Sequence, residues 1–255
     1  MTAKSTAAPN WGRFTPVNDV VPYRLIWRSY GPEKSGKNHF GLSAPGPVAV
    51  QSFDIGLEGV VEKFVKAGKD IRATSYEFDK DDCTQGAAVA IRDAFIEDFQ
   101  VALQVARTII WDTETELWEV FRYAEFDAMS DAPKNYVQLN ARYRDLIQQA
   151  YDTGVNLQLI QKVKEKWKTV AGTDRNGRPV DKPYPSGEME PTGFKECGYI
   201  TQANIRHAWS KENGFEVFVA NCRQNMAISG ESFYNIEFKE LAQLVFPESE
   251  ESNWV

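Results

Sequence analysis

A short segment bounded by two glycines has the residue types needed to hold a phosphate group. Residues 31–38 read Gly-Pro-Glu-Lys-Ser-Gly-Lys-Asn, which is the pattern G-x-x-x-x-G-K. The two glycines lack side chains, so the backbone can wrap closely around an anion. The lysine adds a positive charge near the terminal phosphates, and the amides that follow open a helix whose positive end faces the anion. The predicted nucleotide-binding residues are Gly31, Pro32, Glu33, Lys34, Ser35, Gly36, Lys37, Asn38 and His39.

Two residues are predicted to hold a magnesium ion beside that loop. Asn38 occupies the position after the lysine, where a serine or threonine hydroxyl usually binds Mg²⁺, and its amide oxygen is an imperfect substitute. Asp112 closes the apolar run 108–111 and could hold Mg²⁺ or its water next to the β- and γ-phosphates. The alternative is that Asp112 caps the helical segment that starts near residue 116.

Four further polar residues are candidates for the chemical step. Asp54 follows an apolar run and could orient an attacking water, with Glu114 as an alternative for that role. Gln161 ends another apolar run and could sense the γ-phosphate, and Arg223 could act as an arginine finger, in its own subunit or in a neighbour. The alternatives are that Asp54 lies in a solvated turn, that Gln161 is an ordinary polar residue at a strand end, and that Arg223 forms a surface ion pair.

A basic segment with an embedded aromatic residue follows the apolar run 155–160. Residues 162–182 contain seven basic and three acidic residues, a local charge of +4. Lysines that track a phosphate backbone and a tryptophan that stacks on a base suit single-stranded DNA, although a solvated basic loop would have the same composition. The predicted DNA-binding residues are Lys162, Lys164, Lys166, Trp167, Lys168, Arg175 and Arg178.

The elements that must position these residues alternate between strands and helices. Strands are predicted at 23–30, 48–53, 71–78, 108–111 and 155–160, and helices at 37–43, 59–66, 85–107, 116–128, 135–153 and 237–246. Such alternation favours an α/β fold, a mainly parallel sheet with helices on both faces. The runs 198–209 and 215–222 flank a turn signal and predict a C-terminal antiparallel hairpin. Because ligands bind at the carboxyl ends of parallel strands, the loop Gly31–Asn38, Asp54, Asp112 and Gln161 should meet there.

Composition limits the class of protein. The chain has 255 residues, 42% hydrophobic and 25% charged, with a net charge of −7, which excludes a uniformly basic coat for nucleic acid but not a local basic groove. Three scattered cysteines and two histidines argue against disulfides and a zinc site, and no apolar run is long enough to span a membrane. We expect a cytoplasmic protein with a flexible tail at 1–20, one core at 21–246 with a mobile loop insertion at 169–193, and an acidic tail at 247–255.

Several of these segments together resemble a known family. Residues 30–40, with the loop Gly31–Asn38, resemble the phosphate loop of phage-encoded single-domain RecA-like ATPases of the Sak-type single-strand annealing and recombination group. The runs ending at Asp54, Asp112 and Gln161 resemble the strands that carry the catalytic carboxylate, the Walker-B aspartate and the phosphate-sensing glutamine of RecA-like proteins. Two positions depart from the pattern: Asn38 replaces a hydroxyl, and Asp54 is shorter than the usual glutamate.

The resemblance implies a RecA-like P-loop NTPase core that uses ATP and Mg²⁺, binds single-stranded DNA and self-assembles as a ring or filament. It would act in phage recombination or replication inside a bacterial host, and its acidic tail could recruit phage or host recombination proteins. Hydrolysis of ATP is the expected activity. Two alternatives stay open: a nucleotide-dependent accessory subunit that does not hydrolyse ATP, which Asn38 favours, and a small-molecule phosphotransferase.

Overall fold

A computed structural model describes residues 23–54, 57–126, 135–173 and 179–254. The strands are β1 (Ile26–Tyr30), β2 (Val48–Ser52), β3 (Ile71–Ser75), β4 (Thr108–Asp112), β5 (Asn156–Gln161), β6 (Val163–Thr173), β7 (Pro179–Pro191), β8 (Ala203–Ser210), β9 (Gly214–Cys222) and β10 (Ser232–Tyr234). The helices are α1 (Lys37–Leu42), α2 (Val61–Lys66), α3 (Gln85–Val105), α4 (Glu114–Glu125), α5 (Val137–Thr153), α6 (Cys197–Ile200) and α7 (Phe238–Val245), with short 3-10 helices at Met226–Ile228 and Glu251–Trp254.

One sheet of eight strands organises the molecule. Its order is β10-β9-β8-β1-β5-β4-β2-β3, in which β8, β1, β5, β4, β2 and β3 run parallel to one another. Strands β9 and β10 continue the sheet in antiparallel fashion beyond β8. The α/β class, the mainly parallel sheet and the C-terminal antiparallel hairpin predicted from the sequence are confirmed.

Helices cover both faces of the parallel part because alternate strand residues point to opposite sides. On one face, α3, α4 and α5 pack on the sheet around Trp111, which contacts Phe95, Phe99 and Tyr143 at ring-centroid distances of 5.4, 5.2 and 6.0 Å. On the other face, α1 and α7 cover Trp27 and the inner residues of β8 and β9. The buried Trp111 fixes the strand immediately before Asp112, and Gly154 ends α5 with a φ of 75°, as its position predicted.

Three segments differ from the sequence-based expectations. The segment predicted as a long loop or hairpin is an antiparallel hairpin, β6–β7, that starts earlier than predicted, directly after β5. The run predicted as a strand from residue 198 begins as the short helix α6, and β10 was not predicted. The C-terminal end is no free acidic tail, because Trp254 is buried beside Tyr23, Phe238 and Phe246. Among the described residues, no helix is long and apolar enough to cross a membrane.

The pairing register of the strands places the ends of β1, β2, β4 and β5 side by side. Ser52 lies opposite Asp112, Asp112 lies opposite Ile160, and Gln161 lies opposite Tyr30 at the end of β1. The segment that leaves β1 is the predicted phosphate loop. Four parallel strands therefore end at the same edge of the sheet, where their first loop residues can meet.

Candidate functional site

The loop between β1 and α1 has a tight backbone that depends on its two glycines. Gly31 has a φ of 147°, and a side chain there would overlap the carbonyl oxygen of His207 on β8. Gly36 has a φ of 90°, and a Cβ atom would come within 2.8 Å of the Phe215 ring. The loop is therefore pressed against the β8–β9 hairpin, and no other residue type fits at these two positions without strain.

Lys37 lies across the mouth of the loop. Its ammonium group donates hydrogen bonds to the carbonyl oxygens of Gly31 at 3.0 Å and Pro32 at 2.6 Å. The hydroxyl of Ser35 donates to the same Pro32 oxygen at 2.8 Å and helps to hold the turn. Burial lowers the pKa of Lys37, and the charge of Asp112 opposes that shift. The lysine is thus close enough to Asp112 for their charges to interact.

Two residues 74 positions apart meet directly beside Lys37. The side-chain amide of Asn38 donates a hydrogen bond to Oδ2 of Asp112 at 2.9 Å. This contact joins the first turn of α1 to the end of β4. The amide nitrogen is engaged with the carboxylate, so the amide oxygen of Asn38 is the atom that could face a cation.

The environment of Asp112 suits a carboxylate that gains a positive partner. Burial raises the pKa of Asp112 to about 6, whereas the hydrogen bond from Asn38 and the charge of Lys37 act in the opposite direction. In the part of the chain that the structure describes, no three histidine, cysteine, aspartate or glutamate side chains cluster as a metal cage. One carboxylate and one amide oxygen instead match the way Mg²⁺ is held beside phosphates, which supply most of its other ligands together with water.

Asp54 lies two residues beyond β2 and is exposed. Its negative charge raises the pKa of Asp112 and that of Lys37, so it lies within electrostatic reach of both. The backbone around it is held by Ser52, whose hydroxyl donates to the Asp54 carbonyl oxygen at 2.6 Å. The structure therefore brings Asp54 to the same edge as the loop and Asp112.

Glu114 and Gln161 are brought together, but away from solvent. Glu114 is fully buried, and its carboxylate accepts hydrogen bonds from the Gln161 amide at 2.7 Å, the Tyr143 hydroxyl at 2.9 Å and the Phe194 backbone amide at 3.1 Å. Burial raises the pKa of Glu114 to about 7 despite these bonds. A carboxylate with both oxygens bonded to protein groups has no room to orient a water, so this arrangement argues against Glu114 as the base.

Arg223 lies at the opposite edge of the sheet from the loop, which corrects the expectation that it could reach a phosphate in its own subunit. The expectation rested on the position of Arg223 directly after a strand, but β9 runs antiparallel to the strands whose ends meet at the loop. Cys222 pairs with Ala203, which pairs with Trp27 near the start of β1. A strand of five residues separates that level from the loop by about 16 Å. An arginine-finger role could only be served on another subunit.

The basic segment is part of the β6–β7 hairpin, and its described lysines are ion-paired. Lys164 pairs with Glu190 at 3.4 Å, and Lys166 and Lys168 share Glu188 at 3.2 and 3.0 Å. Lys162 pairs with Glu116 of α4 at 2.5 Å. The local charge of +4 was counted over residues 162–182, and Glu188 and Glu190 later in β7 reduce it. Trp167, 59% exposed, lies opposite Pro185, whereas Arg175 and Arg178 fall outside the described residues.

The remaining loop residues surround this site. Pro32, Glu33 and Lys34 are exposed, and Lys34 has a positive φ of 57°. The ring of His39 lies parallel to that of Phe215, at a centroid distance of 6.2 Å, and is tilted against Phe64 at 5.1 Å. His39 is thus a half-buried aromatic residue at the outer side of α1.

Sequence reasoning missed a layer of polar residues behind the loop. Gln158 of β5 is fully buried, and its amide donates to the Ser29 hydroxyl at 2.8 Å and to the Lys37 carbonyl oxygen at 3.1 Å. Ser29 also bonds to Nε2 of His207 at 3.0 Å. Gln158 thereby ties the strand that enters the loop to the helix that leaves it. A polar residue in the middle of the run Leu157-Gln158-Leu159 was the available signal.

The comparisons with known proteins give limited information about this site. No protein-family model matches the chain, and no curated protein matches it. One similar solved structure is titled "Crystal structure of the RadB recombinase"; the two are 13% identical, with a TM-score of 0.48, over 82% of this chain and 86% of that chain. A likeness of this size does not identify a family, so the function has to come from the residues of this chain.

Proposed function

We propose that this chain is a RecA-like, ATP- and Mg²⁺-binding protein that acts on single-stranded DNA. The observation that carries the nucleotide part is the 2.9 Å hydrogen bond between Asn38 and Asp112, beside Lys37 and at the mouth of the glycine-bounded loop. Two parts of a proposed triphosphate site that lie 74 positions apart in the sequence, the loop with Lys37 and Asn38 on one side and Asp112 on the other, meet at one point. A glycine turn with only a structural role would not need a buried carboxylate there.

In the proposed complex the loop amides and Lys37 hold the β- and γ-phosphates. When the anion binds, Lys37 would donate hydrogen bonds to it instead of to the carbonyl oxygens of Gly31 and Pro32. Asp112 and the amide oxygen of Asn38 would hold Mg²⁺, which neutralises charge on the phosphates when bound. Asp54 is the exposed carboxylate at this edge and would orient the attacking water.

The DNA part is supported by the resemblance of the loop and strand ends to phage RecA-like proteins and by the lysine-rich hairpin with its exposed Trp167. That hairpin is attached at the nucleotide edge. The Thr115 hydroxyl accepts a hydrogen bond from the Lys162 backbone amide at 3.0 Å and donates to the Thr192 carbonyl oxygen at 3.3 Å. A change at Asp112 could therefore reach the base of the hairpin through the next three residues, which form the N-cap and the start of α4. Assembly into a ring or filament belongs to the same proposal.

A second candidate function is nucleotide-dependent binding without appreciable turnover. It is favoured by the burial of Glu114 and Gln161, which leaves Asp54 as the remaining predicted group that could face a water. It is also favoured by Asn38, since an amide oxygen is a weaker ligand for Mg²⁺ than the hydroxyl arrangement it replaces.

Nucleotide binding and turnover, each measured with and without single-stranded DNA, test both candidates. We expect ATP to bind the wild type, and Lys37→Ala to weaken binding by about 100-fold, because a charge-assisted contact of about 3 kcal/mol is removed. Lys66→Ala on the exposed face of α2 is the matched control. If Asn38→Thr hydrolyses ATP faster than the wild type does, binding without appreciable turnover is favoured for the natural chain. If the wild type binds no ATP, the proposal is wrong.

A further inference from the structure

A cleft of about 380 Å³ lies at the edge of the sheet opposite the phosphate loop. Residues from the start of β1, the end of α5, helix α6 and the segment after β9 form its walls. The lining residues are Arg24, Gln148, Tyr151, Tyr199, Ile200 and Arg223. None of them is acidic, in a chain whose net charge is −7.

The two arginines of the cleft converge on one tyrosine. The guanidinium of Arg24 stands 5.1 Å from the centre of the Tyr151 ring, and the Tyr151 hydroxyl donates to the Ile200 carbonyl oxygen at 2.6 Å. Burial raises the pKa of Tyr151 to about 12, and the charges of Arg223 and Arg24 both oppose that shift, so both cations lie near the hydroxyl. Arg223 also donates to the carbonyl oxygen of Tyr199.

Within the residues that the structure describes, neither arginine of the cleft takes part in an ion pair, and the buried Nε of Arg24 has no hydrogen-bond partner. Two acidic groups of the neighbouring segments are already engaged. Asp152 accepts a hydrogen bond from Gln148 at 2.8 Å, and Glu196 pairs with Arg144 at 3.4 Å. The cleft therefore presents guanidinium groups that can bind an external anion without first breaking an ion pair among these residues.

We propose that this cleft binds the phosphodiester backbone of single-stranded DNA, with Arg24 and Arg223 on phosphate oxygens and Tyr199 stacked on a base. The proposal rests on the proposed function in taking single-stranded DNA as the ligand. Tyr199 is 83% exposed beside the arginines, which is unusual for a tyrosine and suits a platform for bases. An acidic peptide would use the same cations but would leave that ring without a partner.

The cleft also differs from the hairpin that the sequence favoured for the same ligand. A phosphate that reaches Lys164, Lys166 or Lys168 has to displace a glutamate, whereas one that reaches Arg24 or Arg223 displaces only water and a backbone carbonyl. Arg223, predicted as an arginine finger, thus receives a different role. The strand would contact the edge of the molecule that lies away from the nucleotide.

Fluorescence anisotropy of a labelled oligothymidine, titrated with the full chain at several salt concentrations, tests the proposal. We expect Arg24→Gln/Arg223→Gln to lose at least about tenfold in affinity and to flatten the slope of log K against log salt by about 1.4, or 0.7 per lost phosphate contact. Tyr199→Ala should lose about fivefold or more. Arg72→Gln, an exposed arginine on β3 at the far end of the sheet, should bind as the wild type does. Unchanged ATP affinity and urea unfolding of each variant would show that the fold is intact.

The possible results separate the cleft from the proposed function. If Arg24→Gln/Arg223→Gln binds as tightly as the wild type while a variant with Lys162, Lys164, Lys166 and Lys168 all changed to Gln does not, the cleft is not the site but the proposed function stands. If the wild type binds ATP yet no single-stranded DNA at low salt, both the cleft assignment and the DNA part of the function are wrong. If polyglutamate binds through the two arginines and oligothymidine does not, the ligand is an acidic protein and the proposal is overturned.

Discussion

Two regions of the molecule pair their polar side chains in different ways: the edge of the sheet where β1, β2, β4 and β5 end, here called the loop edge, and the β6–β7 hairpin. At the loop edge, Asn38, Asp112, Glu114 and Gln161 lie in four different elements and form buried or partly buried hydrogen bonds with one another or with neighbours. In the hairpin, exposed lysines pair with glutamates on the adjacent strand. Buried polar groups are costly to leave unpaired, whereas exposed ion pairs contribute about 0–1 kcal/mol each. The first region is therefore rigid, and the second can exchange partners at little cost.

Removal of the buried carboxylate at the loop edge should have the largest effect on stability. Glu114→Ala leaves the Tyr143 hydroxyl, the Gln161 amide and the Phe194 backbone amide without their acceptor, so we expect the free energy of unfolding to fall by about 3–5 kcal/mol. Urea denaturation monitored by tryptophan fluorescence measures this change. The matched control is Glu125→Ala on the same helix, which breaks a surface ion pair with Arg142 and should cost less than about 1 kcal/mol. A loss as small as that of the control would return Glu114 to the list of candidate bases.

His207, in the polar layer behind the loop, should lower the stability of the protein in acid. Burial lowers the pKa of His207 to about 3, so the folded state keeps it neutral where the unfolded chain, with a pKa near 6.5, takes up a proton. Below about pH 6.5 this residue alone reduces the unfolding free energy by about 1.4 kcal/mol per pH unit as the pH decreases, whereas the raised pKa values of Asp112 and Glu114 act in the opposite direction. The difference between the unfolding free energies of His207→Gln and the wild type isolates the histidine, and between pH 6.5 and 4.5 it should grow in favour of the variant by about 1.4 kcal/mol for each pH unit lost. Parallel slopes would mean that His207 is not buried as a neutral ring.

In the hairpin, removal of two acidic side chains should have a smaller effect, and it should increase the affinity for single-stranded DNA. Glu188→Gln/Glu190→Gln frees Lys164, Lys166 and Lys168 from their cross-strand partners. We expect a threefold to tenfold increase in affinity for single-stranded DNA and a steeper salt dependence, measured by anisotropy, because each freed lysine can release a counterion from the strand. Glu231→Gln/Glu248→Gln, at two exposed positions outside the hairpin, serves as the control for the change of two in net charge. Unchanged affinity would remove the hairpin as a DNA contact.

The sequence contained most of the information about the fold and the loop edge. The alternation of strands and helices predicted the parallel sheet, and the rule that parallel strands end at one edge correctly brought Asp112 and Asp54 towards Lys37. Register was not in the pattern, and the antiparallel direction predicted for the C-terminal hairpin was not applied to Arg223. Because the direction of β9 sets the edge at which it ends, Arg223 was expected at the wrong one.

Local sequence patterns also could not show which distant residues become neighbours across strands or in the interior. Lys164, Lys166 and Lys168 look unpaired until Glu188 and Glu190 return beside them, twenty or more positions later. Glu114 looks like a solvent-exposed residue at a helix start, but α5 and the segment at Phe194 cover it. The predicted groups that stayed accessible, such as Asp54, lie where no later element folds over them.

Titration of ATP into the wild type and Asp112→Asn, each with Mg²⁺ and with a chelator, tests most directly whether the loop and the end of β4 form one site. We predict that Mg²⁺ strengthens ATP binding to the wild type by about tenfold or more and has little effect on Asp112→Asn, which still binds the nucleotide through Lys37 and the loop. An equal gain from Mg²⁺ in both proteins would contradict the account.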